Sequence, residues 1–170
     1  MGLDLRSVVF APVLVQMKKR AGDLRNVKGF PRIGIEAWLK VQVVAAIGKR
    51  VRQICGKGPD LLLDDGSNVG TPLELKAATD FNRAYFLEPV EKYGVPCLFL
   101  GDGRRFKSGS EAALFLKNER DDVEVIGCEV FSDGAGQWVV GLVSPCRSQG
   151  QATGPTCHEP RERLVAGRHS

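Results

Sequence analysis

Apolar residues recur at helical spacing in two segments of the first fifty residues. Between residues 5 and 19, Val9, Val13 and Met17 stand four apart, although Pro12 disturbs the first turns. A longer apolar face follows from residue 33 to residue 47 and stops before Gly48. We therefore predict a helix over each segment, separated by a break at residues 29–31.

Three short segments between residues 50 and 79 have the pattern of strands. Residues 50–55 alternate between polar and apolar, although they could also continue the preceding helix. Residues 61–63 form a brief apolar run, and residues 71–79 follow a turn. The last two should pair as a hairpin. Counting from the turn places Leu63 opposite Thr71 or Pro72, and Asp60 opposite Glu74 or Leu75.

The second half of the chain continues the alternation of helices and strands. Asp80 is a candidate N-cap for a helix over residues 81–93, which contains Pro89 and stops at Gly94. Ser108 and Glu111 have the spacing of a capping box. The remaining segments are a strand over 95–100, a helix over 112–117, and strands over 123–131 and 137–143. The order α-β-β-β-α-β-α-β-β predicts the α/β class, with a mixed sheet flanked by helices.

Composition indicates one globular domain of a protein that does not cross a membrane. The 170 residues are 43% apolar and 26% charged, which fits a single domain over residues 1–145. Residues 146–170 lack any periodic pattern, and we expect a mobile tail there. The longest apolar stretch, residues 8–17, is too short for a membrane helix and has no signal-peptide flanks. The five cysteines form no CxxC pair, so we expect reduced thiols and a cytoplasmic location.

Charge is distributed unevenly along the chain. Residues 1–60 carry 12 Lys and Arg against 4 Asp and Glu, whereas residues 61–146 carry 8 against 14. A basic first third could neutralise phosphates of a polyanion. An ordinary solvated surface would have the same composition, so charge alone does not decide between the two.

The predicted hairpin brings a small group of charged residues together. Glu74 and Lys76 share one face of their strand because alternate side chains point the same way, and the register adds Asp60. Paired carboxylates with a lysine suit phosphodiester hydrolysis with a bound divalent ion. A cross-strand salt bridge is the alternative.

The same residues resemble a known family. Pro59-Asp60, thirteen intervening residues and Glu74-Leu75-Lys76, preceded by a helix that bears Glu36, are similar to the PD-(D/E)XK nuclease superfamily. Restriction endonucleases and Holliday-junction resolvases belong to that superfamily. The resemblance covers about residues 33–100 and implies a restriction-endonuclease-like α-β-β-β-α-β core.

The resemblance also implies roles for individual residues. Asp60 and Glu74 would bind Mg²⁺, for which Mn²⁺ is expected to substitute, and the Leu75 carbonyl would be a third ligand. Lys76 would be the catalytic lysine, and Glu36 a helix carboxylate at or near the metal. For Glu36, an ion pair with Lys40 on a solvated helix face is an equally good interpretation.

Basic residues outside this group are candidate DNA contacts. Arg104, Arg105 and Lys107 follow the central apolar strand, where ligands of α/β sheets often bind, and Lys49 and Arg50 belong to the basic first third. An exposed turn would account for the first three equally well.

The leading hypothesis is a Mg²⁺-dependent DNA endonuclease of the restriction or the repair and recombination type. A homodimer would be the economical way to supply two active sites for duplex cleavage. One alternative is a catalytically inactive nucleic-acid-binding or assembly module of the same fold. Another is an unrelated α/β domain in which the motif arises by chance.

Overall fold

The computed structural model describes residues 3–27, 32–56, 58–118 and 120–146. A π-helical segment, Arg6–Phe10, leads into the first helix. In the described residues the helices are α1 (Ala11–Lys19), α2 (Asp23–Val27), α3 (Arg32–Ile47), α4 (Arg83–Tyr93) and α5 (Gly109–Lys117). The strands are β1 (Val51–Ile54), β2 (Leu61–Leu63), β3 (Thr71–Ala77), β4 (Cys97–Asp102), β5 (Val123–Ser132) and β6 (Gln137–Pro145).

The strands described here form one six-stranded mixed sheet in the order β1-β2-β3-β4-β6-β5. Strands β1, β2 and β3 form an antiparallel meander, and β4 lies parallel to β3 after the crossover through α4. Strand β6 pairs antiparallel with both β4 and β5. The prediction of an α/β protein with a mixed sheet flanked by helices is therefore confirmed.

Two hydrophobic cores lie on the two faces of this sheet. Leu98 and Leu100 of β4 belong to the core that contains residues of α1, α2 and α3. Cys97 and Phe99, which alternate with them, belong to the core that contains residues of α4 and α5. Because neighbouring strand residues point to opposite faces, each face of the central strand is covered by its own helices.

The pairing of β2 with β3 stops at the end of the hairpin that lies away from its turn. The last pair of the β2–β3 ladder is Leu61 with Leu73, whereas β3 stays paired with β4 along residues 74–77. From Glu74 onwards, none of the described strands pairs with the edge of β3 that faces β2. This edge is where the candidate site lies.

The turn between β5 and β6 is closed by a buried carboxylate. Asp133 accepts hydrogen bonds from Trp138 Nε1 at 2.9 Å, from the Ala135 N–H at 2.7 Å and from the Gly136 N–H at 2.6 Å. Burial alone would raise the pKa of Asp133, but these hydrogen bonds lower it below its ordinary value.

The predicted N-cap of α4 is wrong by two residues. Asn82, not Asp80, caps the helix, and its Oδ1 accepts from the Tyr85 N–H at 3.1 Å. The ring of Phe81 packs edge-on against Phe106, with the centroids 4.7 Å apart, and the chain is still extended at Asn82. At the other end, Gly94 stops α4 as predicted, in the left-handed conformation with φ of 63°.

Other expectations meet mixed outcomes. The sequence pattern did not predict helix α2. Cys55 is bonded in a disulfide, so the expectation of reduced thiols is wrong at that residue. The break at residues 29–31 and the tail after Cys146 lie outside the described residues. Within those described residues, no helix combines the length and apolar character needed to span a bilayer. The cytoplasmic location stays a prediction.

Candidate active site

The hairpin brings Asp60 and Glu74 together, in one of the two registers that counting from the turn predicts. Leu63 lies opposite Thr71, which carries Asp60 to the level of Glu74. The Asp60 N–H donates to Glu74 Oε2 at 3.2 Å, and the Leu75 N–H donates to Asp60 Oδ2 at 3.0 Å. The Asp60 side chain therefore accepts the Leu75 N–H, a backbone donor that the carbonyl of a paired β2 residue would accept if β2 were longer.

Each carboxylate has a lysine beside it. Lys40 Nζ lies 2.8 Å from Asp60 Oδ1, and Lys76 Nζ lies 3.5 Å from Glu74 Oε1. The side chains of Asp60 and Glu74 are only 20% and 21% exposed, so each charge needs a nearby cation to offset its lost hydration.

The pKa values of Glu74 and Lys76 are both shifted upwards. Burial, followed by the negative charge of Asp60, raises the pKa of Glu74 in spite of the nearby Lys76 ammonium. For Lys76, burial opposes the charged form, but interactions with Tyr85 and Glu74 outweigh it and raise the pKa. Lys76 is therefore protonated at neutral pH and acts as a cation.

Helix α4 adds an aromatic ring to the site. The ring centroid of Tyr85 lies 4.9 Å from Lys76 Nζ, a cation–π contact, and the Tyr85 hydroxyl donates to Glu36 Oε2 at 3.3 Å. Burial, and then the charge of Glu36, raises the pKa of Tyr85. The phenol therefore stays protonated and links Glu36 of α3 to Lys76 of β3.

The structure places Glu36 at this site without bringing it to Asp60. Lys40 forms its ion pair with Asp60, and Glu36 accepts from Tyr85, so the pairing of Glu36 with Lys40 along α3 is replaced by two tertiary contacts. Sequence reasoning identified neither Lys40 as the partner of Asp60 nor Tyr85 as the neighbour of Lys76. The position of Lys40 one turn after Glu36 was a usable signal for the first, because it puts both on one helix face. No sequence signal pointed to Tyr85.

The oxygen atoms at this edge fit part of a Mg²⁺ shell. Leu75 directs its N–H towards Asp60, and a strand residue points its carbonyl to the same side as its N–H. Two carboxylates and one carbonyl are hard oxygen ligands, and Mg²⁺ usually keeps several waters besides. In the part of the chain that the structure describes, no group of three or more His, Cys, Asp or Glu side chains is arranged to hold a metal.

A cleft of about 490 Å³ opens beside Glu74 and Lys76. Gly58 and Pro59, which precede β2, form one wall of this cleft. The other wall consists of Glu88, Pro89 and Tyr93 of α4 and of Val95, which lies between α4 and β4.

The candidate DNA-binding residues after β4 are partly engaged within the protein. Arg104 Nε donates to Asp102 Oδ2 at 2.7 Å, and the Arg105 guanidinium lies 4.0 Å from the ring centroid of Phe115. Lys107 is exposed. Asp102 lies three residues beyond Phe99, the partner of Lys76, so this loop begins about 10 Å along the strand from the site.

Lys49 and Arg50 lie beyond the opposite end of β3. Both are exposed in the turn that follows α3, and the Asp64 N–H donates to the Arg50 carbonyl at 2.7 Å. Asp64 is four residues from Asp60, or about 13 Å along an extended strand. The two basic groups thus flank the carboxylates from the two ends of the sheet.

Comparison of the chain with known protein families, with curated proteins and with solved structures finds no match.

Proposed function

We propose that this protein is a Mg²⁺-dependent DNA endonuclease with a PD-(D/E)XK-type active site. The observation that carries the proposal is the convergence of Asp60, Glu74 and Lys76 at the unpaired edge of β3. These are the three residue types that the motif places at its catalytic centre. The Asp60 N–H donates to Glu74 Oε2 at 3.2 Å, and Lys76 Nζ lies 3.5 Å from Glu74 Oε1.

The order and pairing of the elements support the same proposal. Helix α3, the antiparallel strands β1 to β3, helix α4 and the parallel strand β4 follow the α-β-β-β-α-β order that the resemblance implies. Asp60 precedes the second strand and Glu74 and Lys76 lie within the third, so the motif occupies the elements that it requires.

The carboxylates of Asp60 and Glu74 and the carbonyl of Leu75 would hold the metal. When bound, Mg²⁺ neutralises phosphate charge and lowers the pKa of a coordinated water. Lys40 and Lys76 form ion pairs with the two carboxylates. If Asp60 Oδ1 were a metal ligand, it would exchange its ion pair with Lys40 for the metal.

Lys76 contributes a fixed positive charge beside the reacting phosphate. Its pKa is raised above the ordinary lysine value, so it is a hydrogen-bond donor at neutral pH. A donor held at that position stabilises the negative charge that develops on a phosphate oxygen in the transition state. The Tyr85 ring limits where the ammonium can move, and Glu36 orients that ring through its hydroxyl.

DNA is the proposed substrate because exposed basic residues lie on both sides of the carboxylates along the strand direction. Phosphates on either side of the cleaved bond would meet the Lys49 and Arg50 turn at one end and the Arg104 to Lys107 loop at the other. Cleavage of both strands of a duplex needs two such sites, for which we propose a homodimer.

A second candidate function is a nucleic-acid-binding module without turnover. The ion pair between Lys40 and Asp60 favours it, because a carboxylate that already has a cation at 2.8 Å needs no metal to be stable. In that case the basic residues would keep their role, and Asp60 and Glu74 would serve the fold alone.

A gel assay on supercoiled plasmid, single-stranded DNA and branched DNA tests the proposal. Wild-type protein should cleave at least one of these in Mg²⁺ and none in EDTA, and Lys76→Met should lose the activity. Lys117→Met is the matched control, since it makes the same change at an exposed lysine at the end of α5. Binding in Ca²⁺ without cleavage in Mg²⁺ or Mn²⁺ would instead support the binding module.

A further inference from the structure

We propose that the cleft beside Glu74 and Lys76 binds an unpaired nucleobase next to the cleaved phosphate. The inference rests on the proposed nuclease function and names the class of its substrate. The enzyme would then prefer DNA that has an unstacked nucleotide at the cleavage position over fully paired duplex.

The cleft is continuous with the candidate active site. Glu74 and Lys76 line it, so a phosphate that contacts the Lys76 ammonium has the cleft as its immediate neighbour. Its volume of about 490 Å³ lies within the range of roughly 300 to 1,000 Å³ that small-molecule pockets occupy. The space accommodates a base together with part of its sugar.

The walls of the cleft suit the flat apolar face of a base. Pro59, Pro89 and Val95 are buried beneath its surface and give it a rigid apolar wall. Tyr93 is 61% exposed at the end of α4, where Gly94 stops the helix, so its ring is available to a ligand. Bases stack on aromatic rings of this kind whatever their sequence.

The polar lining suits the edge of a base. Glu88 lines the cleft, and its Oε1 accepts from Lys92 Nζ at 2.7 Å at the surface of α4. A carboxylate at this position can also accept from the exocyclic amino group of a base such as cytosine. The cleft therefore combines a stacking ring, apolar walls, an acceptor and the active-site lysine.

Only a base outside the helical stack can enter such a pocket. In a duplex both faces of a base are covered by its neighbours, and extrusion costs least when the base is unpaired or mismatched. The pocket thus selects for single strands, flaps and bulges over continuous duplex.

Single-turnover cleavage of three matched duplexes tests the inference. One is fully paired, one contains a single unpaired nucleotide at its centre, and one contains an abasic residue at that same position. We expect the duplex with the unpaired nucleotide to be cleaved about tenfold faster than either of the other two duplexes. Stacking of one base on an aromatic ring supplies enough binding free energy for a difference of this size.

Two variants of Tyr93 separate the pocket from the nuclease activity. Tyr93→Ser should abolish the preference for the unpaired base while leaving the abasic duplex unaffected, and Tyr93→Phe, which keeps the ring, should restore the preference. Circular dichroism checks that both variants are folded, which the exposure of Tyr93 leads us to expect.

The outcomes distinguish the two proposals. Mg²⁺-dependent cleavage at equal rates on all three duplexes, or a preference that Tyr93→Ser does not change, would overturn the nucleobase pocket and leave the nuclease. Absence of metal-dependent cleavage on every substrate, single strands included, would overturn the nuclease and the pocket with it.

Discussion

If Asp60 is a metal ligand as proposed, Lys40 and the divalent ion compete for the same oxygen of Asp60. Lys40 Nζ lies 2.8 Å from Asp60 Oδ1, and Asp60 Oδ2 is already engaged by the Leu75 N–H. We therefore expect Lys40→Met, which keeps most of the apolar stem but removes the charge, to tighten metal binding.

The size of the effect follows from the geometry of the ion pair. At an effective dielectric constant of about 20, two unit charges 2.8 Å apart attract by roughly 6 kcal/mol. The lysine side chain is 30% exposed and the aspartate 20%, so solvent screening, desolvation and lost side-chain entropy cancel most of this attraction. A net value of about 1 kcal/mol remains for such a pair, which converts to about a fivefold lower Kd for the metal in Lys40→Met.

Isothermal titration calorimetry with Mn²⁺ measures this effect directly. The comparison needs wild type, Lys40→Met, Asp60→Asn and the control Lys117→Met, which should match wild type. Asp60→Asn should weaken Mn²⁺ binding at least tenfold because it removes a charged ligand. Without metal, Lys40→Met should also lower the melting temperature, since it leaves Asp60 without its cation, and Mn²⁺ should restore more stability to it than to wild type.

Two results would contradict the proposed competition between Lys40 and the metal. If Lys40→Met left the Mn²⁺ affinity unchanged or weakened it while remaining folded, Lys40 would not occupy a metal-binding oxygen. An unchanged affinity in Asp60→Asn would remove the metal site itself.

Three further predictions address the chemistry, the DNA contacts and the fold. Lys76→Met should lower the single-turnover cleavage rate at least a hundredfold and leave DNA affinity in Ca²⁺ within about twofold, because a transition-state contact affects rate more than binding. Equal losses of rate and affinity would identify a structural or phosphate-binding lysine. Charge reversal at Lys49 and Arg50 should reduce the slope of log DNA affinity against log salt concentration by about 2, since each phosphate contact contributes about 0.9. An unchanged slope in a filter-binding titration would exclude both contacts. Asp133→Asn should cost roughly 1.5 to 3 kcal/mol of unfolding free energy at neutral pH, the range for hydrogen bonds to a charged group. Folding lowers the pKa of Asp133, so the stabilisation by its carboxylate is present above the unfolded pKa and is lost as pH falls through the folded pKa. Urea melts of wild type and Asp133→Asn should therefore converge in acid. A difference in unfolding free energy that does not change with pH would contradict this prediction.

The hairpin could be predicted from the sequence because its constraints are local. The period of two in β3 and the length of the turn fix which residues face each other, and the observed pairing of Leu63 with Thr71 confirms the register that was counted. The proximity of Asp60 and Glu74 follows from that register without further information.

The partners of the site residues could not be predicted, because they depend on how the helices pack. Local spacing favours an ion pair between Glu36 and Lys40, but in the folded protein Lys40 pairs with Asp60 and Glu36 accepts from the Tyr85 hydroxyl. Tyr85 reaches Glu36 from a helix 49 residues later in the chain. The N-cap prediction for α4 was wrong because Asn82 is an equally good capping residue two positions later. The backbone is still extended at Asn82, and its side chain accepts from the Tyr85 N–H.

The unpaired edge of β3 has a consequence for the behaviour of the protein in concentrated solution. A strand that exposes free N–H and carbonyl groups recruits strands from other molecules, which leads to aggregation or domain swapping. Asp60 Oδ2 accepts the Leu75 N–H, and a charged side chain at a sheet edge also repels an approaching strand. Substitution of Asp60 by alanine should therefore reduce solubility as well as any metal affinity, whereas asparagine, which still offers an acceptor oxygen, should preserve solubility.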